Sequence, residues 1–214
     1  GSLAYGNLKI QKKLGLPILG IIHHPITVDR RLELDNARTF LERLGKRRWY
    51  AFTRMQTRVC QKIQRIITVS ESSKEDISHD HKVDINKIHV VPIGIDTDFF
   101  APQTNIERIP GRIVSTASAD VPLKGQKFLL EAIAKVRNDF PHVHLELVGK
   151  QREGSTTAET LNQLGLDDIV RFNQGISYEE LVNLLASAEV AIVPSLYEGF
   201  SIPAIEALSC GAPL

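Results

Sequence analysis

Cysteine is scarce in this chain. The two present, Cys60 and Cys210, lie far apart and form neither a CxxC pair nor a disulfide framework. That excludes a disulfide-stapled scaffold and favours a reducing compartment. Long apolar runs are missing too: none approaches the ~20 residues that cross a bilayer, and no signal-peptide pattern opens the chain. The expectation is a cytoplasmic protein. No GxGxxG occurs, and Gly149-Lys150 lacks the GxxxxGK[ST] order, so the two commonest glycine-rich phosphate fingerprints are absent. No internal repeat or low-complexity tract breaks the pattern.

What is there is ordinary in bulk and uneven in detail. Apolar residues make up 43% and charged residues 24% of the 214, as in a soluble globular protein of one large or two small domains. The net charge of +1 hides an asymmetry: residues 1–105 hold 17 Lys/Arg against 11 Asp/Glu, and residues 106–214 hold 9 against 14. Two modules with different partners are expected.

The second half alternates strand and helix. Strands are predicted over 112–117, 144–149, 169–175 and 190–195, and helices over 125–140, 157–165, 178–188 and 202–210. Ser177 and Glu180 form a capping box, and Gly211 ends the last helix. Such βα units give an α/β fold with a doubly wound parallel sheet, whose ligands bind beyond the carboxyl ends of the strands. Residues 118–124 and 197–201 would lie there. The first half is less regular, with strands predicted over 16–24, 65–70 and 88–94 and a capping box at 72–75 opening a helix. A turn-rich stretch over 95–111 divides the chain into residues 1–105 and 106–214.

Residues 46–65 hold seven basic residues and no acidic ones. As one helix they would put Trp49, Phe52, Met55, Val59 and Ile63 on one side. Arg47, Arg54, Arg58, Lys62 and Arg65 would lie on another. Such a face is either solvated surface or a contact for anionic lipid or substrate. His79 with His81, and His142 with His144, are spaced like metal-ligand pairs. No third and fourth ligand lies in reach by sequence, so no metal site is expected.

Glu198 and Glu206 stand eight positions apart, one just before the last predicted helix and one inside it. Eight helical residues span ~12 Å, whereas the carboxyl pair of a glycosidase sits ~5–9.5 Å apart. The spacing suits two grips on an elongated ligand, such as a sugar nucleotide, better than a hydrolytic pair. Gly199 permits close backbone approach, and the amides near Phe200, Ser201 and Ile202 favour a diphosphate. Glu206 can accept hydrogen bonds from two ribose hydroxyls. Equally, Glu198 could merely complement the helix dipole and Glu206 be ordinary surface.

The segment SLYEGFSIPAIEALSCGAPL (195–214) resembles the E-x7-E signature of group 1 retaining GT-B glycosyltransferases. Four further matches follow the family's order: IIHH (21–24), RIITVSESSKEDI (65–77), VVPIGIDTDFFAP (91–102) and DVPLKGQKFLLEAIAKV (120–136). The resemblance spans roughly residues 20–214 and implies two Rossmann-like domains facing across a cleft. The first, acceptor-side domain (1–105) would be truncated, and the nucleotide-sugar-binding domain (106–214) would lack its carboxyl end. The chain is thus similar to a fragment lacking both ends.

The function implied is transfer of a hexosyl unit, with retention, from a nucleoside-diphosphate sugar to an unknown acceptor, without metal or other cofactor. Glu198 would hold the donor sugar and Glu206 the ribose. Lys124 would neutralise the diphosphate, the amides of Phe200, Ser201 and Ile202 would bind it, and His23 would face the sugar. The family usually carries Gly-Arg-Leu just before the lysine; Ser118, Ala119 and Asp120 stand there instead, and Ser118 could bond a phosphate oxygen. The alternatives are a non-catalytic nucleotide-sugar-binding module and a nucleotide-sugar epimerase. Peripheral contact with the inner face of an anionic membrane and a homodimer through an unpaired sheet edge are further expectations; a nucleic-acid partner is not expected.

Overall fold

A computed structural model describes residues 3–116 and 121–214. It shows the expected α/β class, in two compact units. The first comprises Gly1–Ile93 with Glu198–Phe200, and the second Gly94–Tyr197 with Ser201–Leu214.

In the first unit, strands β1 (Leu19–Ile21), β2 (Arg65–Thr68) and β3 (Ile88–Val90) form a parallel sheet in the order β1-β2-β3. Gly20 lies opposite Ile66, which lies opposite Ile88. The same unit holds, among the described residues, the helices α1 (Tyr5–Leu14), α2 (Ile26–Asp35), α3 (Phe40–Trp49), α4 (Thr53–Cys60) and α5 (Glu71–His81). Val59, Ile63, Ile66, Ile77 and Ile88 form the core, each at most 2% exposed. Burying each such side chain stabilises by about 1.5–3 kcal/mol. The strand predicted over 16–24 is only three residues long, because Pro17 and Pro25 lie on either side of it.

Two local expectations are corrected. The helix after β2 is capped by Ser70, not by the 72–75 box: Ser70 is extended and its hydroxyl accepts from Ser73 N at 3.1 Å. Residues 46–65 are not one helix. A 3-10 turn at Tyr50–Phe52 separates α3 from α4, and α4 ends at Cys60. The turn shifts the helical phase, so Tyr50 is buried while Trp49 is 75% exposed. Arg47, Arg54, Arg58, Lys62 and Arg65 remain exposed.

The second unit has strands β4 (Arg112–Thr116), β5 (His144–Val148), β6 (Val170–Asn173) and β7 (Val190–Ala191), all parallel, in the order β6-β5-β4-β7. Between and after them run α6 (Gln126–Asp139), α7 (Thr156–Leu164), α8 (Tyr178–Ala186) and α9 (Ile202–Ser209). One sheet face packs against Leu129, Leu130, Ile133 and Leu161; the other packs against Leu181, Leu185, Ala207 and Cys210. The capping box at α8 is present, with Glu180 N bonded to Ser177 Oγ at 3.1 Å and Ser177 N to Glu180 Oε2 at 2.7 Å. β7 is shorter than predicted: Ile192 N still reaches Val114 O at 2.8 Å, and Pro194 then removes a donor.

The strand order reverses at β4, with β5 on one side and β7 on the other. That is the switch point at which doubly wound sheets bind ligands. The turn-rich 94–111 segment packs with this unit, because Phe100 is 7% exposed in its core and meets Tyr178 edge to face at 6.3 Å. Asp96 Oδ1 fixes the turn before it by accepting from Asp98 N and Phe99 N. Among the described residues, no helix is long and apolar enough to cross a membrane.

Candidate active site

Two loops meet at the switch point of the second unit. The chain after β4 makes a 3-10 turn, Pro122–Lys124, and enters α6 through Gly125. The chain after β7 runs through Pro194 and Leu196. Leu196 N donates to Leu123 O at 2.8 Å, and Gly125 packs directly on the Pro194 carbonyl. Lys124, half-buried, is therefore held on a stitched pair of loops at the carboxyl ends of β4 and β7. Ser118, the other candidate in this loop, lies outside the described residues.

Helix α9 opens next. Ser201 is its cap, accepting from Ala204 N at 3.4 Å, and Ser201 O accepts from Ile205 N at 3.3 Å. Pro203 stands in the first turn, where its missing amide hydrogen costs no intrahelical bond. Glu206 lies in the second turn of α9, half-buried, and burial pushes its carboxyl above the usual carboxylate range. Cys210, one turn on, is pushed up to about 11 by burial and by Glu206, and Cys60 is pushed to about 11 by burial alone.

Glu198, Gly199 and Phe200 pack with the first unit instead. Gly199 is buried there: a Cβ on it would lie 2.9 Å from His24 Cβ and inside contact distance of the His23 carbonyl. Ser73 Oγ lies 3.2 Å from His23 O and 3.4 Å from Gly199 O, and the two carbonyls share its one O–H. Ser73 thus ties the segment bearing Glu198 to the segment bearing His23. The His23 ring is exposed, whereas His24 Nε2 is bonded to Asp29 Oδ2 at 2.9 Å. Sequence reasoning missed Ser73. Its signal was its place in the first turn after β2, where a small hydroxyl can reach two carbonyls.

A second feature escaped notice. A hollow of about 270 Å³ opens at the carboxyl ends of β4, β5 and β6, lined by Thr116, Val148, Gly149, Lys150, Asn173 and Gln174 among others. His81 is buried and bonded to Thr57 at 2.9 Å, and His79 is bonded to Asp80 at 3.0 Å. Among the described residues, no group of three or more His, Cys, Asp or Glu could hold a metal ion.

The raised Glu206 carboxyl carries a pH-dependent prediction. Its folded form holds a proton more tightly than its unfolded form, so the charge destabilises the fold at pH values above its raised range and not below the unfolded one. Glu206→Gln should therefore raise Tm at pH 7, by no more than about 2 °C, and leave Tm unchanged at acid pH. Thermal unfolding at both pH values measures this; an equal shift at both would reject the burial argument.

Parallel sheets flanked by helices, with the strand order reversing at β4, define a Rossmann-like α/β scaffold. Comparison narrows the class. The family described as Glycosyl transferases group 1 matches residues 102–214, and Glycosyltransferase Family 4 matches residues 1–99. The chain belongs to the group 1 glycosyltransferases. It is 47% identical over 212 residues to the MMP alpha-(1->4)-mannosyltransferase of Mycolicibacterium hassiacum, covering 99% of this chain and 50% of that protein. It is 31% identical over 171 residues to the D-inositol 3-phosphate glycosyltransferase of Mycolicibacterium smegmatis, covering 74% of this chain and 38% of that one. The chain thus spans half or less of the relatives it matches. Sucrose-phosphate synthase from Thermosynechococcus elongatus shares the fold, with a TM-score of 0.72 at 22% identity over 98% of this chain and 52% of that one. Anabaena HepE, solved in complex with UDP and glucose, gives 0.68 at 17% identity over 95% and 53%.

Proposed function

We propose that this chain carries the donor-handling machinery of a retaining hexosyltransferase that uses a nucleoside-diphosphate sugar. The observation that carries the reading is the switch-point arrangement: Lys124 on its stitched loop, the first amides of α9, and Glu206 one turn further on. Glu206 accepts from the ribose hydroxyls; the amides of Phe200, Ser201 and Ile202, with Lys124, hold the diphosphate. Glu198 holds the donor sugar, Gly199 lets the backbone come close, and His23 faces the sugar. In this scheme the first unit serves the acceptor and the second the nucleotide sugar.

The bond from the anomeric carbon to the diphosphate oxygen breaks as the acceptor oxygen bonds the same carbon from the same face. The leaving phosphate oxygen takes the acceptor proton. Negative charge grows on the diphosphate as it leaves, so Lys124 and the amides favour the transition state over the ground state. These steps use no metal. The 47% identical relative is a mannosyltransferase, which makes mannose the first sugar to test and an MMP-type acceptor the first partner. Titration with UDP, GDP and ADP tests the reading: one nucleotide should bind, and Glu206→Ala should abolish binding. No binding by any of the three would overturn it.

The basic face supports a peripheral partner. Arg54 and Arg58 stay exposed on α4, and Trp49, 75% exposed, lies beside Arg47 and Arg48. This arrangement suits an anionic membrane surface. Arg54→Glu with Arg58→Glu should reduce co-sedimentation with phosphatidylserine vesicles several-fold at low salt. Unchanged co-sedimentation would remove the membrane from the scheme. The exposed edge of β1, where Leu19 and Ile21 are 53% and 60% exposed, is where a second copy would pair.

A further inference from the structure

Glu146 sits in the middle strand position of β5, between β4 and β6, and is 7% exposed. Its neighbours in β5, Leu145 and Leu147, are each 1% exposed. An acidic side chain there must be desolvated, so its partner matters. That partner is Asn173, whose Nδ2 donates to Glu146 Oε2 at 2.6 Å. Asn173 is the last residue of β6, and its carbonyl accepts from Gly149 N at 3.0 Å. Both its backbone and its side chain are thus held, and it lines the hollow at the carboxyl end of the sheet.

We propose that Glu146 and Asn173 set the base preference of the nucleotide site, by fixing the Asn173 amide so that its oxygen faces the hollow. The inference rests on the reading given under Proposed function. An amide can present its oxygen or its nitrogen to a ligand, and the two ends are sterically alike. Here a flip would set Oδ1 in place of the Nδ2 donor against Glu146 Oε2, and the hydrogen bond would be lost. The carboxyl group therefore commits Nδ2 inward and leaves Oδ1 as an acceptor.

The hollow is large enough for a heterocyclic base. Its volume, about 270 Å³, falls below the ~300–1,000 Å³ of pockets that enclose a whole drug-sized ligand. It takes one end of an elongated molecule. Val148 and Ile176 give it apolar wall, and Lys150, Asn173 and Gln174 supply the polar groups. Set against the ring position of the pairing edge, out of reach of an exocyclic amine, a fixed acceptor selects a base that carries a ring N–H there. Guanine and uracil have one, whereas adenine presents a bare ring nitrogen there. A site that binds an N–H rejects an analogue lacking it, because its own polar group is left unpaired.

Titration of the 214-residue chain with GDP, UDP and ADP gives the test. The wild type should bind GDP or UDP at least about tenfold more tightly than ADP, the size of one lost hydrogen bond. Glu146→Gln lets the facing amides turn together, so Asn173 can present either end, and the preference should fall to about threefold or less. Replacing both partners, Glu146→Leu with Asn173→Leu, removes the pair without leaving a buried polar group alone. That variant should keep its Tm and lose the preference. A wild type that binds nucleotide but favours ADP, or a preference that survives in both variants, would overturn the assignment. A chain that binds none of the three nucleotides would overturn the proposed function itself, and this assignment with it.

Discussion

Gly125→Ala is expected to unfold the second unit at a markedly lower temperature and to weaken nucleotide binding even where the chain stays folded. Gly125 has φ 63° and ψ 14°, the left-handed region, where an L side chain costs about 1–2 kcal/mol. It is also buried against the chain after β7. An added Cβ would lie 2.9 Å from the Pro194 carbonyl carbon and closer still to its oxygen, and neither is the end of a flexible side chain. Overpacking of this kind adds about 1–3 kcal/mol. The sum, about 2–5 kcal/mol, corresponds to a Tm decrease of roughly 5–15 °C in a chain of this size.

The position of that collision gives the prediction its functional half. Relief requires the Pro194–Leu196 loop to move away from the turn carrying Lys124, which breaks the Leu196–Leu123 hydrogen bond. Diphosphate affinity should fall by about tenfold or more, the loss of one charge-assisted contact. Gly165→Ala is the control. Gly165 has φ 60°, the same backbone strain, but nothing lies within 4 Å of the added Cβ. It should lower Tm by only a few degrees and leave nucleotide affinity unchanged. Equal effects of the two variants on binding would show that the loop contact does not hold Lys124 in place.

How much of this was legible depended on the range of the forces involved. In the second unit nearly every element followed from periodicity: α6 and α8 have one apolar stripe each, and Ser177 and Glu180 announce a helix start by local chemistry alone. The parallel sheet followed from strand alternation, whereas the strand order that makes β4 the switch point did not. In the first unit α1 and α2 went unread, because neither buries more than part of one face. Val28 and Leu34 are the buried residues of α2, and α1 has none. The break at Tyr50–Phe52 was hidden for a different reason. A 3-10 turn changes the helical phase without a glycine or proline to mark it, and only the burial of Tyr50 reveals it.

The candidate site divided the same way. Glu198 and Glu206 were legible as a spaced pair, and Lys124 by resemblance to the family. The sequence could not show that Glu198–Phe200 pack with the first unit, because that contact joins residues more than a hundred positions apart through Ser73. Glu146 had a visible signal, one acid between two leucines in an apolar strand. What made it interpretable was Asn173, 27 positions away and brought alongside by the β5–β6 register.

Replacing Glu198 by Ala should stop sugar transfer while leaving nucleotide affinity within about threefold of the original, a change smaller than one hydrogen bond. The two glutamates stand in different surroundings, and the prediction follows from that difference. Glu206 sits on α9 beyond the capped first turn, where it can meet a ribose whether or not a sugar is attached. Glu198 lies in the segment that Ser73 ties to His23, and packs with the first unit rather than with α9. A group that grips the sugar contributes to the transition state and little to binding of a nucleotide that has no sugar. Loss of one such group costs about 10²–10³-fold in kcat. Glu206→Ala should give the reverse pattern, with nucleotide affinity lost first. Transfer is to be assayed in a preparation that turns over, this chain or a longer protein containing it, and binding by titration with the bare nucleoside diphosphate. If both variants lose binding and turnover in the same proportion, the glutamates act as one structural unit, and the assignment of one to the sugar and the other to the ribose is wrong. If Glu198→Ala turns over normally, Glu198 serves the helix start alone, and the grip on the sugar must come from another residue.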